Sequence, residues 1–375
     1  MRSLPTLVAA LIFLPYLGLS LETTAKQAFL MEESTSTEIF NKNGDEKMAP
    51  SSMSKLMTLY LTFKNLKDGR IKLTDEYIVS KKAWAMGGSR MFLEEGKRVN
   101  VNDLIRGIIV DSGNDASVSI AELISGSEDE FVSEMNILAT KIGLTGSYFK
   151  NASGWPDKEH LMTARDLAIL ARAIIKDYPE YYHYFSEKEF KYNNITQQNR
   201  NNLLGKFGVD GLKTGTTDTG GFGVTLSAKK NDVRVIAVIN GLKTTREREQ
   251  EGAKLISFAL NNFKNLKLIS KDYIMTKLAI WYGKEGNVPV TVQEDVGVFV
   301  KNHINSQDIK ILFAHESVIS APIAKGQVLG SFIINLDGKN LRTVPAIAQK
   351  DIDETSIVGK FAQNVNKLLV DGKNQ

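Results

Sequence analysis

The chain has 375 residues, a hydrophobic fraction of 42% and a formal net charge of +4 at pH 7. This length accommodates two domains and this composition is that of a globular protein, which excludes disorder over most of the chain. The small charge, without a dense Lys/Arg block, excludes nucleic acid as an expected partner. The chain has no cysteine, which excludes disulfides and thiol catalysis, and its four histidines lack metal-ligand spacing, so no metal or other cofactor is expected.

Residues 1–20 have the order of a secretory signal peptide. Arg2 precedes an apolar run from Leu7 to Leu14, and small residues follow it. We expect cleavage after Ser20, with Ala25 as the alternative site, and export of the mature chain to the periplasm. The other interpretation is a permanent N-terminal anchor, although the run is short for a span of about 20 residues.

The first predicted helix begins in the segment Pro-Ser-Ser-Met-Ser-Lys at residues 50–55, after a β-hairpin predicted at residues 27–41. Apolar residues recur at helical spacing as far as Phe63, and Asp68-Gly69 ends the helix. We expect Ser51 or Ser52 to cap its first turn. The helix would bury its apolar face together with Lys55.

Ser52 and Lys55 are three residues apart, so they share a face of this helix. Burial lowers a lysine pKa and makes the amine a base for the Ser52 hydroxyl, while N-terminal N–H groups favour negative charge at a carbonyl under attack. Ser-x-x-Lys is a weak pattern, and it occurs again at Ser147/Lys150 and Ser227/Lys230. Those two copies lie in a polar stretch and a predicted strand. By itself the motif at Ser52 is better explained by a capping serine and a solvated lysine than by catalysis, because short motifs recur freely.

The remainder of the first 265 residues predicts helices followed by strands. The helices are expected at 101–110, 116–124, 128–142 and 163–175, with a loop at 151–156. The strands are expected at 211–215, 223–229 and 233–239, followed by an amphipathic helix from Arg248 to Phe263. Strands at both ends with helices inserted between them predict an α+β domain over residues 21–265, whose sheet joins its two ends.

The last part of the chain predicts a second domain and a tail. Short β segments closed by turns predict a small all-β domain over residues 266–350. Residues 351–375 predict an amphipathic helix with one apolar face, formed by Ile357, Val358, Phe361, Val365, Leu368 and Leu369. Two interpretations stay open for this tail: a helix on a membrane surface, or a helix packed on the β domain.

Two further motifs accompany Ser52-x-x-Lys55. Ser112-Gly113-Asn114 lies between two predicted helices, and Lys213-Thr214-Gly215 lies on a predicted strand. Each is weak evidence singly, because the first is also an ordinary turn and the second an ordinary edge strand. Together and in this order they match the Ser-x-x-Lys, Ser-Asp-Asn and Lys-Thr-Gly set of penicillin-binding proteins and class A β-lactamases, with Gly113 in place of Asp.

The sequence resembles the low-molecular-mass penicillin-binding proteins that are D-alanyl-D-alanine carboxypeptidases, over nearly the whole mature chain. The shared motifs lie at residues 50–55, 111–116, 163–166 and 210–215. Gly113 favours this branch over the β-lactamases. The resemblance implies a penicillin-binding/β-lactamase-like domain, in which an antiparallel sheet carries a helical subdomain, followed by a small all-β domain and a C-terminal amphipathic helix.

The resemblance also implies the catalytic roles. Ser52 would attack the peptide carbonyl between the two terminal D-alanines of a peptidoglycan stem pentapeptide, and Lys55 would take its proton. Ser112, bridging Lys55 and Lys213, would relay a proton to the departing D-alanine. Water would then hydrolyse the acyl-enzyme, and β-lactam antibiotics would inhibit by acylating the same serine.

The substrate-binding residues implied are Asn114, Lys213, Thr214, Gly215, Thr216, Thr217 and Arg248. Asn114 would bind the substrate amide and the Lys55 amine, and the backbone N–H groups of Ser52 and Thr216 would hold the oxyanion. Lys213, Thr214 and Thr217 would lie beside the terminal carboxylate. Members of the family often carry histidine at the position of Thr216, so this edge of the site differs. Arg248 is a candidate second carboxylate ligand, with Arg246 and a purely solvated arginine as alternatives.

Three other functions remain open. A D,D-endopeptidase or a β-lactamase would use the same motifs, and a catalytically impaired protein would bind the cell wall. Against a β-lactamase, the segment 153–168 lacks a Glu-x-x-Leu-Asn motif and offers only Asp157, Glu159 and Asp166 to position a hydrolytic water. Against a pure binding protein, binding alone does not need the Ser52 nucleophile.

Overall fold

The computed structural model describes residues 21–316 and 318–371, and the side chains of the last helix as far as residue 365. The predicted signal peptide lies outside the described residues. The helices in chain order are α1 (Lys55–Lys67), α2 (Lys81–Trp84), α3 (Val101–Ile109), α4 (Asn114–Ser125), α5 (Glu128–Lys141), α6 (Ala164–Asp177), α7 (Thr245–Asn262) and α8 (Ile357–Asp371). Short 3-10 helices occupy Ser51–Ser54, Pro179–Ser186 and Ser306–Asp308.

The strands fall into an N-terminal and a C-terminal group. The first group is β1 (Gln27–Glu32), β2 (Glu38–Lys42), β3 (Glu76–Ile78), β4 (Arg98–Asn100), β5 (Glu189–Tyr192), β6 (Ile195–Gln198), β7 (Val209–Thr217), β8 (Gly221–Lys230) and β9 (Val233–Leu242). The second group is β10 (Phe263–Ile269), β11 (Thr276–Ala279), β12 (Asn287–Thr291), β13 (Val296–Lys301), β14 (Ile309–His315), β15 (Val328–Leu336) and β16 (Lys339–Ala348).

A five-stranded antiparallel sheet in the order β2-β1-β9-β8-β7 forms the centre of the N-terminal domain. Strand β1 comes from the start of the domain and pairs with β9 from its end, with Phe29 opposite Val238. The prediction of an α+β domain whose sheet joins its two ends is therefore confirmed. Strand β7, which carries the Lys-Thr-Gly motif, is an edge strand, so its outer side is free to face a ligand.

Helices cover both faces of this sheet. Helix α7 packs on β8 and β9 from one side, where Leu226 and Ile239 share a core with Leu255 and Ile256. Helix α1 lies in the core on the other side among α3, α4, α5 and α6, with Phe63 among its fully buried residues. Each such large apolar side chain contributes about 1.5–3 kcal/mol on burial, so α1 is held rigidly.

The start of α1 differs from the prediction. A 3-10 turn over Ser51–Ser54 precedes it, and no side-chain cap hydrogen bond forms at the start of that turn or of α1. Ser51 Oγ is 3.0 Å from Thr217 Oγ1, and Ser52 Oγ is 3.0 Å from Lys55 Nζ. The expected cap by Ser51 or Ser52 is wrong because both hydroxyls have other partners.

The C-terminal domain contains a second five-stranded sheet, in the order β11-β12-β16-β15-β14, and a β10-β13 ladder. In this domain, β10, β11 and β16 lie outside the β segments that the sequence predicts at 288–292, 296–300, 309–313 and 328–334. Strand β10 begins at Phe263 directly after α7 ends at Asn262, with no loop or breaker to mark the change. The boundary placed between residues 265 and 266 falls inside β10, which pairs with β13.

The terminal helix α8 presents an apolar face to solvent. Ile357, Val358 and Phe361 are between 70% and 86% exposed. The opposite face contacts the turn after β11, where Gln363 Oε1 accepts from the backbone N–H of Tyr282 at 2.7 Å. No helix in the described ranges has both the length and the apolar character required to cross a bilayer.

Candidate active site

The Lys55 amine is buried at the base of the site. Its side chain is fully inaccessible, and burial, reinforced by the nearby Arg200 charge, lowers the Lys55 pKa to about 7. Lys55 Nζ lies 3.0 Å from Ser52 Oγ, 2.7 Å from Asn114 Oδ1 and 2.5 Å from the Ser153 carbonyl oxygen. The predicted pairing of Ser52 with Lys55 is thus present in the structure.

The three partners determine how a neutral Lys55 is oriented. The Ser153 carbonyl and Asn114 Oδ1 can only accept hydrogen bonds, and the Asn114 amide nitrogen donates to the Gly87 carbonyl at 2.8 Å, which fixes its orientation. A neutral amine has two N–H groups, and both are used by these acceptors. Its lone pair is left for the Ser52 hydroxyl, which is the arrangement a general base needs.

Ser112 is held in a sharp turn between α3 and α4. Its backbone φ of +58° lies in the left-handed region, which costs a non-glycine residue about 1–2 kcal/mol. A Cβ at the next residue, Gly113, would lie 2.9 Å from Asp115 Oδ1 and 3.2 Å from the Gly107 carbonyl oxygen. Glycine at this position of the Ser-Gly-Asn motif therefore avoids crowding in the turn.

Ser112 pairs with Lys213 rather than with both lysines. Lys213 Nζ donates to Ser112 Oγ at 3.0 Å and to the Thr214 carbonyl at 3.3 Å. Within the described part of the chain no hydrogen bond joins Lys55 to Ser112, so the expected bridge is wrong in this state. The reason is geometric, because Asn114 and Ser153 take the donors of Lys55. Burial, together with the charges of Lys55, Arg200 and Arg248, holds the Lys213 pKa well below its usual range.

Strand β7 packs its Lys-Thr-Gly segment against the turn that carries Ser52. A Cβ at Gly215 would lie 2.9 Å from the Pro50 carbonyl oxygen, so glycine allows this close approach. Thr216 is exposed, and its hydroxyl donates to the Gly215 carbonyl at 2.8 Å. Thr217 Oγ1 instead lies 3.0 Å from Ser51 Oγ and accepts from the Gly220 N–H.

A cavity of about 310 Å³ opens at these motifs. Its lining residues are Ser52, Ser89, Ser112, Arg200, Asn202, Thr214, Gly215, Thr216, Thr245 and Arg248. Of the expected strand residues, Thr214, Gly215 and Thr216 border it. Thr217 borders the neighbouring cavity, and its place beside the terminal carboxylate stays a prediction.

Arg248 lies in this cavity on the first turn of α7, which Thr244 caps by accepting from the Glu247 N–H. Its guanidinium donates to the Arg200 carbonyl at 3.1 Å, and the residue is only 5% exposed. Arg246 is exposed and does not line the cavity. Of the two arginines, Arg248 is therefore the one placed to contact an anion here.

Arg200 and Ser89 are site residues that the sequence analysis missed. Arg200 Nη1 donates to Ser89 Oγ at 2.5 Å, and both residues line the cavity. Arg200 follows β6 in a polar stretch, and Ser89 precedes the extended segment that leads to β4. Neither belongs to a spaced motif, so only the tertiary fold brings them together.

A second cavity of about 310 Å³ adjoins the site on the far side of Ser51. It is bordered by Trp155, His160 and Thr217 among others, and Trp155 is 45% exposed. His160 Nε2 is 2.6 Å from Ser54 Oγ, and burial lowers the His160 pKa to about 4. His160 is therefore neutral at physiological pH and holds the turn in place.

Comparison with known proteins agrees with this geometry. The family profile described as D-alanyl-D-alanine carboxypeptidase (peptidase S11) matches residues 18–244, and the profile for the C-terminal domain of penicillin-binding protein 5 matches residues 263–354. The chain is 37% identical over 345 residues to D-alanyl-D-alanine carboxypeptidase DacF of Bacillus subtilis, covering 89% of this chain and 87% of the relative. It is 36% identical over 345 residues to the carboxypeptidase DacC of Escherichia coli, covering 90% and 86%.

Solved structures show the same architecture. Penicillin-binding protein 5 of Haemophilus influenzae superposes with a TM-score of 0.85 at 34% identity, covering 89% of this chain and 99% of that chain. Penicillin-binding protein 6B of Escherichia coli has a TM-score of 0.73 at 33% identity, covering 88% and 97%. Motifs, fold and relatives agree, and the chain belongs to the D-alanyl-D-alanine carboxypeptidase family, peptidase S11, with the fold of penicillin-binding protein 5.

Proposed function

We propose that this serine-type D,D-carboxypeptidase removes the terminal D-alanine from peptidoglycan stem pentapeptides, with Ser52 as nucleophile and Lys55 as base. The observation that carries the assignment is the contact set of Lys55 Nζ, whose two acceptor partners leave its lone pair for Ser52. A serine hydroxyl needs such a base, because it is a weak nucleophile at neutral pH.

The acylation step follows from these positions. Ser52 Oγ attacks the carbonyl carbon between the two D-alanines, and its proton passes to Lys55 Nζ. The backbone N–H groups of Ser52 and Thr216 hold the oxyanion that forms. Collapse of the tetrahedral intermediate breaks the C–N bond, and the proton that Lys55 took from Ser52 passes by way of the Ser112 hydroxyl, which Lys213 contacts at 3.0 Å, to the leaving D-alanine nitrogen. Lys55 is then neutral again. Water attacks the Ser52 ester, Lys55 accepts the proton of that water and returns it to Ser52 Oγ as the ester bond breaks, and the shortened peptide leaves.

Recognition of the terminal carboxylate is assigned to the cationic end of the cavity. Arg248 lines this end of the cavity, together with Thr214 and Thr216 of strand β7. Lys213, on the same strand, is buried. Buried cations bind a carboxylate more strongly than solvated ones, because water screens them less. A free C-terminus beyond the scissile bond is what distinguishes this substrate from an internal peptide, and it favours carboxypeptidase over endopeptidase activity.

β-Lactams are proposed as inhibitors because their cyclic amide and carboxylate present the same two groups to Ser52 and Arg248. A neighbour in structure, penicillin-binding protein D2 of Listeria monocytogenes, was solved in an ampicillin-bound form; it is 26% identical with a TM-score of 0.59 and covers 64% of this chain and 98% of that chain. β-Lactamase activity is disfavoured, because Asp157, Glu159 and Asp166 are engaged elsewhere. Asp157 accepts from the Glu159 N–H, Glu159 pairs with Lys150, and Asp166 accepts from Gly146 and Ser147.

One assay tests the activity. The protein is incubated with a D-Ala-D-Ala-terminated peptide and, separately, with a fluorescent penicillin. We expect free D-alanine and covalent labelling for the parent, and neither for Ser52→Ala. The matched control is Ser147→Ala, the serine of a second Ser-x-x-Lys copy, which should behave as the parent. Equal D-alanine release by Ser52→Ala would contradict the assignment of the nucleophile, and labelling without release would indicate an impaired binding protein.

We also propose that α8 rests on the outer face of the cytoplasmic membrane after export through a signal at residues 1–20. The exposed Ile357, Val358 and Phe361 support this, and so does the polar face fixed to Tyr282 and Gly283. An apolar helix face of this kind binds at the headgroup boundary in proportion to its buried area. Flotation with anionic vesicles tests it: Phe361→Glu should release the protein, whereas Lys310→Glu, an exposed charge reversal on β14, should leave it bound.

A further inference from the structure

Asp111 is a buried carboxyl directly behind the site with no assigned task. It precedes Ser112 in the turn between α3 and α4, it is 1% exposed, and its Oδ1 has no hydrogen-bond partner in the described part of the chain. The neighbouring Asp115 is different, because its carboxylate accepts from the backbone N–H groups of Met91, Leu93 and Ala116. A buried unpaired oxygen costs about 1–3 kcal/mol, so Asp111 is not explained by stability.

The charges that act on Asp111 among the described residues are those of Asp115, Arg200 and Lys213. Asp115 raises the Asp111 pKa, whereas Arg200, which lines the cavity, and Lys213, which contacts Ser112, lower it. Lys213 in turn is faced by Lys55, Arg200 and Arg248, with Asp111 as the anion that favours its ammonium form. Removal of Asp111 would leave Lys213 among positive charges without a counter-charge.

Resting on the proposed carboxypeptidase activity, we propose that Asp111 is a positioning residue that acts through Lys213, keeping its ammonium charged so that it holds Ser112 and attracts the terminal carboxylate. Burial and the Asp115 charge raise the pKa of Asp111 to about 7. Below that pH the carboxyl is neutral, and the higher proton concentration itself favours the ammonium form of Lys213. As the pH rises above it, Asp111 becomes an anion and supplies the charge that opposes deprotonation of Lys213.

Because Asp111 gains its negative charge as the pH rises, the proposal can be tested with Asp111→Asn, which mimics the protonated carboxyl at every pH. At pH 6 the variant and the parent should have similar kcat/KM for an N-acetylated D-Ala-D-Ala peptide. Above pH 7 the parent gains a negative charge that the variant lacks, so the alkaline decline of kcat/KM should begin earlier in the variant. For a shift of about one pKa unit in Lys213, kcat/KM at pH 9 falls about tenfold relative to the parent. The acidic limb, set by Lys55, should move little.

Two further variants keep the result interpretable. Asp111→Ser also removes the carboxylate and needs less space, so the same alkaline shift is expected if Asn packs poorly. Asp272→Asn removes an exposed carboxylate in the C-terminal domain and should leave the profile unchanged. A ratio of variant to parent activity that is constant from pH 6 to pH 9 would overturn the proposal, because a purely structural defect lowers activity uniformly.

The test separates this inference from the proposed function. Acylation by a fluorescent penicillin, which also bears a carboxylate, gives a second pH profile that does not require D-alanine release. A parent that labels without releasing D-alanine would contradict the carboxypeptidase activity, and the labelling profiles would still test Asp111. A parent that releases D-alanine with no alkaline shift in either Asp111 variant would contradict the role of Asp111 alone.

Discussion

Ser51 Oγ and Thr217 Oγ1 lie 3.0 Å apart, and this hydrogen bond ties the residue before Ser52 to the end of edge strand β7. The hydrogen bond thereby fixes the position of the turn that carries Ser52 relative to strand β7, which carries the Lys-Thr-Gly motif. The contact joins residues 166 positions apart in sequence, so it exists only in the folded protein.

Removal of the Ser51–Thr217 hydrogen bond should lower stability and slow acylation without abolishing activity. In a double-mutant cycle, Ser51→Ala and Thr217→Val should show a coupling of about 0.5–1.5 kcal/mol in the free energy of unfolding. Fluorescent-penicillin acylation should slow more than substrate binding weakens, because this hydrogen bond positions the nucleophile. Strictly additive effects on both quantities would show that the two hydroxyls act independently.

The low pKa of Lys55 predicts the acidic limb of the pH profile. As the pH rises through about 7, Lys55 loses its proton and becomes able to accept one from Ser52. The acylation rate should therefore increase with pH up to this range and then level. Lys55→Arg should be inactive at every pH, since a guanidinium does not deprotonate in proteins. Stopped-flow acylation between pH 5 and pH 8 measures this, and a flat profile would contradict Lys55 as base.

The two arginines near the start of α7 form a matched pair. Arg248→Gln should raise KM for a D-Ala-D-Ala peptide by about 10-fold to 100-fold, which corresponds to the 1.5–3 kcal/mol typical of a hydrogen bond to a charged group. Arg246→Gln should leave KM near the parent value, because its side chain is exposed away from the cavity. Steady-state kinetics on both variants measure these KM values. An equal effect of the two substitutions on KM would show that the substrate carboxylate binds elsewhere.

Gly113 should resist substitution for packing reasons. Gly113→Ala places a Cβ 2.9 Å from Asp115 Oδ1 and 3.1 Å from Ala116 Cβ, an overpacked site that costs about 1–3 kcal/mol. Gly286→Ala is the control, since no atom lies within 4 Å of the Cβ it would add. Thermal unfolding compares them, and a parent-like melting temperature for Gly113→Ala would show that the turn relaxes freely.

The fold was predictable wherever periodicity was strong. The main strands and the helices from α3 to α7 matched their patterns, because alternating or helical spacing of apolar residues reports which face is buried. Strand β16 was not predicted, since Pro345 and several polar residues break its alternation. Strand β10 was not predicted because it continues from α7 without a turn residue.

The site was predictable where chemistry is carried by spaced motifs and unpredictable where it depends on tertiary contacts. Ser52 lies beside Lys55 and Ser112 beside Lys213, as their motifs implied, but the expected bridge from Ser112 to Lys55 does not form among the described residues. Arg200, the Ser153 carbonyl and the buried position of Asp111 depend on how loops cross, which short-range sequence patterns do not encode. The contact of the Thr217 hydroxyl with Ser51 is of the same tertiary kind, and no sequence pattern indicated it.

The direct passage from α7 into β10 leaves no hinge between the two domains at that point. The ring of Phe263 stacks on Phe299 with centroids 5.2 Å apart and meets Phe258 edge-on at 5.9 Å, so apolar contacts fix the junction on both sides. A flexible tether samples a range of end-to-end distances, whereas a packed junction holds one. With α8 on a bilayer as proposed, this packed junction would hold Ser52 at a fixed height above the membrane surface.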